Sequence, residues 1–223
     1  MRLLIGVVGM FVLWLASVTV ALAMFQEGDL PDSAVMEIDR AKGARVRRTF
    51  VPLEQVSPWL VKSVIASEDG RFCTHWGIDP REVVAAIRRA RNGRPRGAST
   101  ITMQVAKNLF LWPDQSYVRK ALEVPATILI EIMWSKQRIL EVYLNIAQWG
   151  SGIFGAEAAS LHHFGKPARR LTLNEAARLA VSLPAPQRRR AGRPTSWLNR
   201  LAGRIEARVR SNPGAAFCAL ASP

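Results

Sequence analysis

The stretch SPWLVKSVIASE, residues 57–68, decides the fold class of this chain. Ser57 followed by Pro58 is a helix start signal, because serine caps the first free N–H groups and proline suits the first helical position. Apolar residues then recur at helical spacing and predict one buried face, formed by Leu60, Val61, Val64 and Ile65. The helix delivers Glu68 at its C-terminal end, beside a packed core.

Helical patterns continue beyond this segment, with very little strand-like alternation. Asp79-Pro80 repeats the start signal, and Thr172 with Glu175 forms a capping-box pair. Further helical spacing covers residues 101–109, 139–144 and 197–209. We therefore predict a mainly α protein. A chain of 223 residues that is 49% hydrophobic accommodates one catalytic domain plus a short anchor.

Residues 3–25 form an uncharged apolar run that is long enough to cross the roughly 30 Å hydrocarbon core of a bilayer. Arg2 precedes the run and acidic residues follow it, so the positive-inside tendency predicts a cytoplasmic N-terminus and an external domain. A cleaved signal peptide is the alternative, because Ala21-Leu22-Ala23 resembles a cleavage site, although the run exceeds the typical length of roughly 7–15 residues.

Four segments are predicted along the chain. They are a transmembrane anchor over residues 1–25, a polar connector over 26–49, a catalytic domain over 50–190, and a C-terminal helix and tail over 191–223. Cys73 and Cys218 lie far apart and follow no spacing pattern, so we predict two unpaired thiols.

The formal charge of +14 indicates an acidic partner, such as nucleic acid, anionic lipid or a phosphate-bearing substrate. An external domain rarely meets nucleic acid, and the basic runs at residues 45–48, 88–96 and 188–193 suit a phospholipid surface. A solvated basic surface without a ligand is the alternative for each run.

Three stretches in the middle of the chain carry candidate chemistry. Glu68 begins the first, EDGRFCTHWG, and partial burial would raise its pKa toward the range of a general base. An ordinary helix-end carboxylate is the alternative. The second, GASTITMQVAKN at residues 97–108, offers hydroxyl and N–H groups at a helix start, with Gln104 and Lys107 three residues apart. Here a plain N-cap at Ser99 is the alternative.

The third stretch is RKALE at residues 119–123, in which Arg119 and Glu123 stand four apart on a predicted helix. A surface salt bridge is the simplest interpretation of that pair. A functional interpretation is favoured by its position shortly after the first two stretches, because the three stretches together contain two acidic groups, several cations and several hydroxyls.

These three stretches, in this order, resemble the peptidoglycan polymerases of glycosyltransferase family 51. Two further blocks agree with that family, KQRILEVYLN at residues 136–145 and GIFGAEAASLHHFGK at 152–166. The resemblance covers residues 51–186 and, with no transpeptidase segment following, is closest to the monofunctional members. It implies a lysozyme-like helical domain and polymerisation of lipid II, with undecaprenyl diphosphate as the leaving group.

The resemblance also implies roles for individual residues. Glu68 would be the base that deprotonates the attacking hydroxyl, and Glu123 would assist at the diphosphate, directly or through a divalent cation such as Mg²⁺ or Mn²⁺. Lys107, Arg119 and Lys120 would stabilise charge on the leaving group. Ser99 and Gln104 would line the same groove. Scaffold roles are expected for His75, Lys136, Tyr143 and Asn145.

Three positions depart from the family pattern, and none of them is Glu68 or Glu123. Met103 replaces a common glutamine and Gln115 a common basic residue, while Pro125 should kink its helix near Glu123. The apolar side chains of residues 110–112, Phe110, Leu111 and Trp112, suit either contact with lipid or the core.

The expected setting is the bacterial inner membrane, with a single pass and a periplasmic domain. The expected partners are lipid II, the growing glycan chain, membrane lipids and cell-division or elongation proteins, and not nucleic acid. A lysozyme-like hydrolase or lytic transglycosylase is the alternative enzyme. Such an enzyme has no need for the second motif, with its hydroxyl residues and Lys107, or for the Arg-Lys motif. A membrane-tethered binding scaffold would leave the five ordered motifs unexplained.

Overall fold

A computed structural model describes residues 2–90, 97, 99–113 and 116–220. Its helices and strands are α1 (Arg2–Met24), α2 (Ala34–Ala41), α3 (Pro58–Glu68), α4 (Pro80–Arg89), α5 (Ile101–Phe110), α6 (Tyr117–Met133), α7 (Lys136–Ile146), β1 (Gln148–Gly150), β2 (Ile153–Phe154), α8 (Ala156–Phe164), α9 (Leu173–Ser182), α10 (Ser196–Ser211) and α11 (Phe217–Leu220). The prediction of a mainly α protein with an N-terminal apolar helix is confirmed.

The helix start signals read from the sequence are confirmed. Ser57 caps α3, where its hydroxyl accepts from the N–H of Trp59, and Asp79 caps α4. Thr172 and Glu175 form the complete capping box of α9. The turn residues at 92–95 predict a loop after α4, and they lie outside the described residues.

Two helix packings place the end of α3 at the centre of the domain. On one side α3 packs against α9 and α10, around a small apolar cluster that includes Ala66, Val181 and Leu198. On the other side α5 packs against α6 and α7 over the main core. Glu68, the last residue of α3, therefore faces α5.

The apolar helix α1 is docked on the domain through its C-terminal half. Val18 and Leu22 are buried, and the indole N–H of Trp134 donates to the Leu22 carbonyl at 2.9 Å. The guanidinium of Arg138 donates to the Phe25 carbonyl, also at 2.9 Å. The segment Ile5–Met24 is long and apolar enough to cross a membrane.

A short antiparallel hairpin of β1 and β2 follows α7. Residues just after α2 extend along it, since the N–H of Arg47 donates to the Gly152 carbonyl at 2.7 Å. Gly152 has φ +66°, and a Cβ there would collide with the Arg45 carbonyl. The connector is thus tied to the hairpin, and glycine permits the close approach.

The prediction of two unpaired cysteines is wrong, because Cys73 and Cys218 form a disulfide with their Cα atoms 5.5 Å apart. α11 packs against α7 and against the 3₁₀ turn Phe72–Thr74, and this brings Cys218 back to Cys73 across 145 residues. The C-terminal tail is therefore fastened beside the motif that begins at Glu68.

Candidate active site

Asp69 joins the first two motifs. One of its carboxylate oxygens lies 2.8 Å from Nε2 of His75, and the other accepts from the N–H of Ile101, the first residue of α5, at 3.0 Å. Asp69 and His75 are both buried. A carboxylate at a helix N-terminus is favourable, because free N–H groups and the helix dipole both attract it. The pair fixes α5 relative to Glu68, which agrees with a scaffold role for His75.

The N-cap of α5 is Thr100 and not Ser99. The Thr100 hydroxyl accepts from the N–H of Met103 at 3.1 Å and donates to the Gly77 carbonyl. The interpretation of Ser99 as a plain N-cap is therefore wrong, because the helix begins one residue later. Ser99 is exposed and lies beside the end of α3.

The carboxylate of Glu68 is half-buried and held by amide and hydroxyl donors. Gln104 donates through Nε2 to Oε2 at 3.1 Å, and Ser67 donates more weakly to Oε1 at 3.4 Å. Burial raises the pKa of Glu68 above the ordinary glutamate value, while the two donors oppose that shift. An ionisable carboxylate with a raised pKa suits proton transfer near neutral pH.

Tyr143 orients the glutamine that contacts Glu68. Its phenol donates to Oε1 of Gln104 at 3.3 Å, so the NH₂ end of the amide turns toward the carboxylate. Burial raises the pKa of Tyr143 well above its ordinary value, and the hydroxyl stays a donor. Its scaffold role thus extends to the candidate catalytic carboxylate of Glu68. Asn145 is purely structural, since it bonds the N–H and carbonyl of Val51.

A second carboxylate, Glu123, lies within a cluster of cations on α6. It pairs with Arg119 through Oε1 and with Lys120 through Oε2, the latter at 2.6 Å. The side chain of Glu123 is 3% exposed and that of Arg119 is 11% exposed, whereas that of Lys120 is 45% exposed. The simple interpretation as a surface salt bridge is wrong for Arg119, because the pair is buried.

Lys107 lies within electrostatic reach of both carboxylates. Burial lowers its pKa below the ordinary lysine value, while the charges of Glu123 and Glu68 act in the opposite direction. Arg119 and Lys120 add to the lowering. One half-buried cation therefore connects the Glu68 side of the site with the cationic cluster on α6.

Two cavities flank the contact between Glu68 and Gln104. The first has a volume of about 370 Å³ and is lined by Glu68, Ser99 and Arg71, among others. The second, of about 230 Å³, is lined by Gln104, Lys107 and Tyr143, among others. The structure thus brings together the predicted residues of the first two motifs, and the third forms the adjoining charged cluster.

Two arginines that the sequence did not connect with the site also approach Glu68: Arg189, which belongs to the basic run 188–193, and Arg208. The charge of Arg189 opposes the rise of the Glu68 pKa, and its guanidinium donates to the Val181 carbonyl at 2.8 Å. Arg208, on α10, donates to the Ala66 carbonyl at 2.8 Å and lines the same cavity as Glu68. Neither residue lies in one of the five motifs, so only the fold around the end of α3 shows that they are neighbours of Glu68.

The departures from the family pattern have separate outcomes. Met103 is buried in the core, and α6 continues as a helix through Pro125. Gln115 lies outside the described residues. Leu111 is 2% exposed and belongs to the core, whereas Trp112 is 39% exposed.

The donor set around Glu123 does not fit a protein-bound divalent cation. Both of its oxygens already contact cationic side chains, and no group of three or more potential ligands occurs within the described ranges. Two cations beside a third, Lys107, would repel a metal ion. The predicted Mg²⁺ or Mn²⁺ stays a prediction, and no step below depends on it.

One half-buried carboxylate beside amide and hydroxyl donors, and a second carboxylate held among cations, are an arrangement that fits a helical glycosyl-transfer enzyme. Comparison with known proteins specifies the family. Residues 34–208 match the transglycosylase family, and the chain belongs to it.

Its relatives include the biosynthetic peptidoglycan transglycosylase of Rhodospirillum centenum, which is 51% identical over 92% of this chain and 91% of the relative. The protein of that name from Agrobacterium fabrum is 50% identical over 85% and 84%. The one from Jannaschia sp. is 43% identical over 92% and 82%. This likeness extends over both candidate carboxylates.

Proposed function

We propose that this membrane-anchored chain is a peptidoglycan glycosyltransferase that polymerises lipid II into glycan strands for the cell wall, with Glu68 as the base. The observation that carries the assignment of the base is the contact between Glu68 and Gln104, in a setting that raises the carboxylate pKa. Family membership supplies the reaction class.

In the proposed reaction, Glu68 takes the proton from the 4-hydroxyl of an acceptor lipid II. The freed oxygen attacks the anomeric carbon of the growing chain, and a new glycosidic C–O bond forms. The bond from that carbon to undecaprenyl diphosphate breaks, and the diphosphate leaves with the electron pair. Gln104 steadies the ionised carboxylate before the proton moves.

Lys107, Arg119 and Lys120 offset the negative charge that develops on the departing diphosphate. Glu123 is the positioning group of this cluster, because it contacts Arg119 and Lys120 on separate oxygens. Fixed charges that are already oriented cost little reorganisation during reaction. Direct neutralisation by these side chains would supply that charge without a metal ion at Glu123.

Contacts of α1 with the domain support a retained anchor. Cleavage after Ala23 would remove Val18 and Leu22 from the core and break the Trp134 hydrogen bond. Arg2 lies before the span and Asp29 after it, which supports a cytoplasmic N-terminus and a periplasmic domain in the inner membrane.

Lipid contact is supported by an apolar stripe on α6, the helix on which α1 packs. Val124, Ile128 and Ile132 are four residues apart and 37–63% exposed. Because Glu123 lies on the same helix, the cationic cluster would sit close to the bilayer where the diphosphate of a lipid-linked substrate resides. Cell-division or elongation proteins stay predicted partners. The exposed face of α1 could contact such proteins within the membrane.

The test uses the purified full chain in detergent with lipid II. Wild-type protein should form glycan strands, and Glu68→Gln should reduce the rate by at least about a hundredfold, as expected for loss of a general base. Glu54→Gln, which alters an exposed carboxylate in the 3₁₀ turn Leu53–Gln55, is the matched control. Equal rates for Glu68→Gln and wild type would remove Glu68 from this role, and digestion of finished peptidoglycan would favour a hydrolase.

A further inference from the structure

A cavity of about 660 Å³ lies on the hairpin side of the domain and has no part in the reaction above. It is formed by the β1–β2 hairpin, the end of α8 and the segment of residues 186–193 after α9. Its volume falls within the range of about 300–1,000 Å³ that is usual for small-molecule sites. It is therefore large enough for a peptide fragment or a sugar with substituents.

The lining of this cavity is basic and polar. Arg190, Arg193, His162 and Gln187 face it, and the described lining residues include no carboxylate. In the part of the chain that the structure describes, neither arginine side chain forms an ion pair. A cleft lined by one sign of charge concentrates ligands of the opposite sign, so the cavity is suited to an anion.

The shape of the cavity is fixed by contacts that do not involve the side chains of the two arginines. His163 is engaged at both ring nitrogens, Nε2 with the Trp149 carbonyl at 3.0 Å and Nδ1 with the N–H of Gly192 at 3.4 Å. A Cβ at Gly192 would collide with the His163 carbonyl. The turn that carries Arg190 and Arg193 is therefore pressed against α8, while both guanidinium groups stay available.

The cavity adjoins the catalytic groove. Pro186 lines this cavity and also the cavity of Gln104 and Lys107. The hairpin contributes to both, with Gly150 and Ile153 in the arginine cavity and Gln148 and Phe154 in the cavity of Gln104. A substrate that extends from Glu68 past Gln104 would thus reach the arginines next. None of its described lining residues lies on α1 or α6, the helices with the exposed apolar surfaces, which argues against a lipid headgroup.

We propose that Arg190 and Arg193 form a subsite for the carboxylates of the peptide carried on the peptidoglycan sugars. This inference rests on the proposed function and adds a second point of substrate recognition to it. The peptide of a peptidoglycan precursor carries free carboxylates, and the planar guanidinium matches a carboxylate through two parallel hydrogen bonds. The diphosphate has its own cations on α5 and α6, so two anionic parts of one substrate meet two separate basic sites.

A direct binding experiment tests the subsite without turnover. The full chain in detergent is titrated into a fluorescent soluble disaccharide-peptide, either with free carboxylates or with all of them amidated, and anisotropy is measured. The double variant Arg190→Gln/Arg193→Gln should bind the free-carboxylate fragment about three- to tenfold more weakly than wild type, as for two solvated charge-assisted contacts. Amidation should weaken binding to wild type by a similar factor and leave binding to the variant unchanged.

The matched control is Arg169→Gln/Arg170→Gln, an exposed pair in the 3₁₀ turn Ala168–Arg170 that lines none of the cavities described here. It should bind both fragments as wild type does. The proposal is overturned if the Arg190/Arg193 variant binds the free-carboxylate fragment as tightly as wild type. It is also overturned if the control pair weakens binding equally, or if amidation weakens binding to variant and wild type alike.

A kinetic arm separates the peptide from the membrane. With lipid II, the Arg190/Arg193 variant should show a raised KM and a nearly unchanged kcat, and with amidated lipid II it should match wild type. Equal losses on both substrates, in parallel with weaker flotation on phosphatidylglycerol vesicles, would assign the arginines to the lipid surface and reject the subsite. If wild type made no glycan, the proposed function would fail, but the anisotropy result would still decide the carboxylate site.

Discussion

The amide of Gln104 donates to the carboxylate of Glu68 at 3.1 Å while its oxygen accepts from the phenol of Tyr143 at 3.3 Å. The three side chains come from α5, α3 and α7 in turn. Because an ionised carboxylate can only accept hydrogen bonds, the NH₂ group of Gln104 faces Glu68 and the amide oxygen is left to accept from the phenol. The position of one glutamine therefore orients the candidate base and opposes the rise in its pKa that burial causes.

Removing Gln104 should change the pH dependence of polymerisation. Its hydrogen bond lowers the pKa of Glu68 against the larger effect of burial, so Gln104→Ala should raise that pKa further. Since the base acts only when ionised, the acid limb of kcat/KM should move to higher pH. The profile is measured with lipid II on either side of neutrality.

The exposed Gln55 provides the control for that experiment. Gln55→Ala should keep the wild-type acid limb, and Tyr143→Phe should shift it in the same direction as Gln104→Ala but less. An acid limb that stays in place in Gln104→Ala would contradict the role given to the amide.

Glu68→Gln should stabilise the protein although it sharply lowers the rate of polymerisation. Burial raises the folded-state pKa of Glu68 above its unfolded value, so wild type loses stability as the pH rises through the folded pKa. Glutamine does not titrate and avoids this loss. At pH 8 we expect Tm to rise by about 2–4 °C, the shift given by about 1 kcal/mol in a protein of this size.

Thermal unfolding followed by circular dichroism from pH 4 to 8 checks the sign. The difference between Glu68→Gln and wild type should vanish below the unfolded pKa of about 4.3, where both side chains are neutral. A variant that is less stable than wild type at pH 8 would show that the buried, ionised carboxylate of Glu68 does not destabilise the folded protein.

Glu123→Gln should have the opposite effect on stability. It leaves the Arg119 guanidinium, 11% exposed, without its counter-charge, and breaking a buried pair in this way costs about 3–5 kcal/mol. Lys120→Gln is the matched control, because that side chain is 45% exposed and its pair should contribute less than about 1 kcal/mol. Urea unfolding of the variants measures both values, and equal losses would mean that burial does not distinguish the two pairs.

The sequence predicted those parts of the site that depend on local signals. The caps at Ser57 and Thr172 and the apolar spacing after Ser57 are read within one helix turn or two, and they place Glu68 at a helix end. The partnership of Gln104 with Tyr143 spans 39 residues and depends on how α5 packs against α7. No spacing pattern in the sequence predicts how these two helices pack.

The same reason explains what the sequence interpretation missed. Cys73 meets Cys218 only because α11 returns to the turn Phe72–Thr74, and Leu111 is buried although its neighbour Trp112 is exposed. Ser99 and Thr100 are adjacent hydroxyl residues, and only the position of the helix start decides which one caps α5.

Polymerisation should not depend on a divalent cation held by Glu123. The two oxygens of that carboxylate are occupied by Arg119 and Lys120, and these cations supply the charge that a metal would bring. After treatment with EDTA, the rate with lipid II should stay within about twofold of the untreated rate, since this charge is built into the protein. A large loss that Mg²⁺ restores, in wild type and in Glu54→Gln alike, would return the metal to the mechanism.

Breaking the disulfide should loosen the C-terminus and destabilise the region of the first motif. The bond closes a separation of 145 residues and fastens α11 beside Phe72, which also lies under the ammonium of Lys136 at 4.5 Å. A native disulfide of this kind typically contributes about 2–5 kcal/mol, so Cys73→Ser/Cys218→Ser should unfold at a clearly lower temperature than wild type. Scanning calorimetry with and without dithiothreitol gives the comparison. Reductant should lower the Tm of wild type to that of the double variant and leave the variant itself unchanged, whereas an unaltered Tm in reduced wild type would show that packing of α11 alone holds the tail in place.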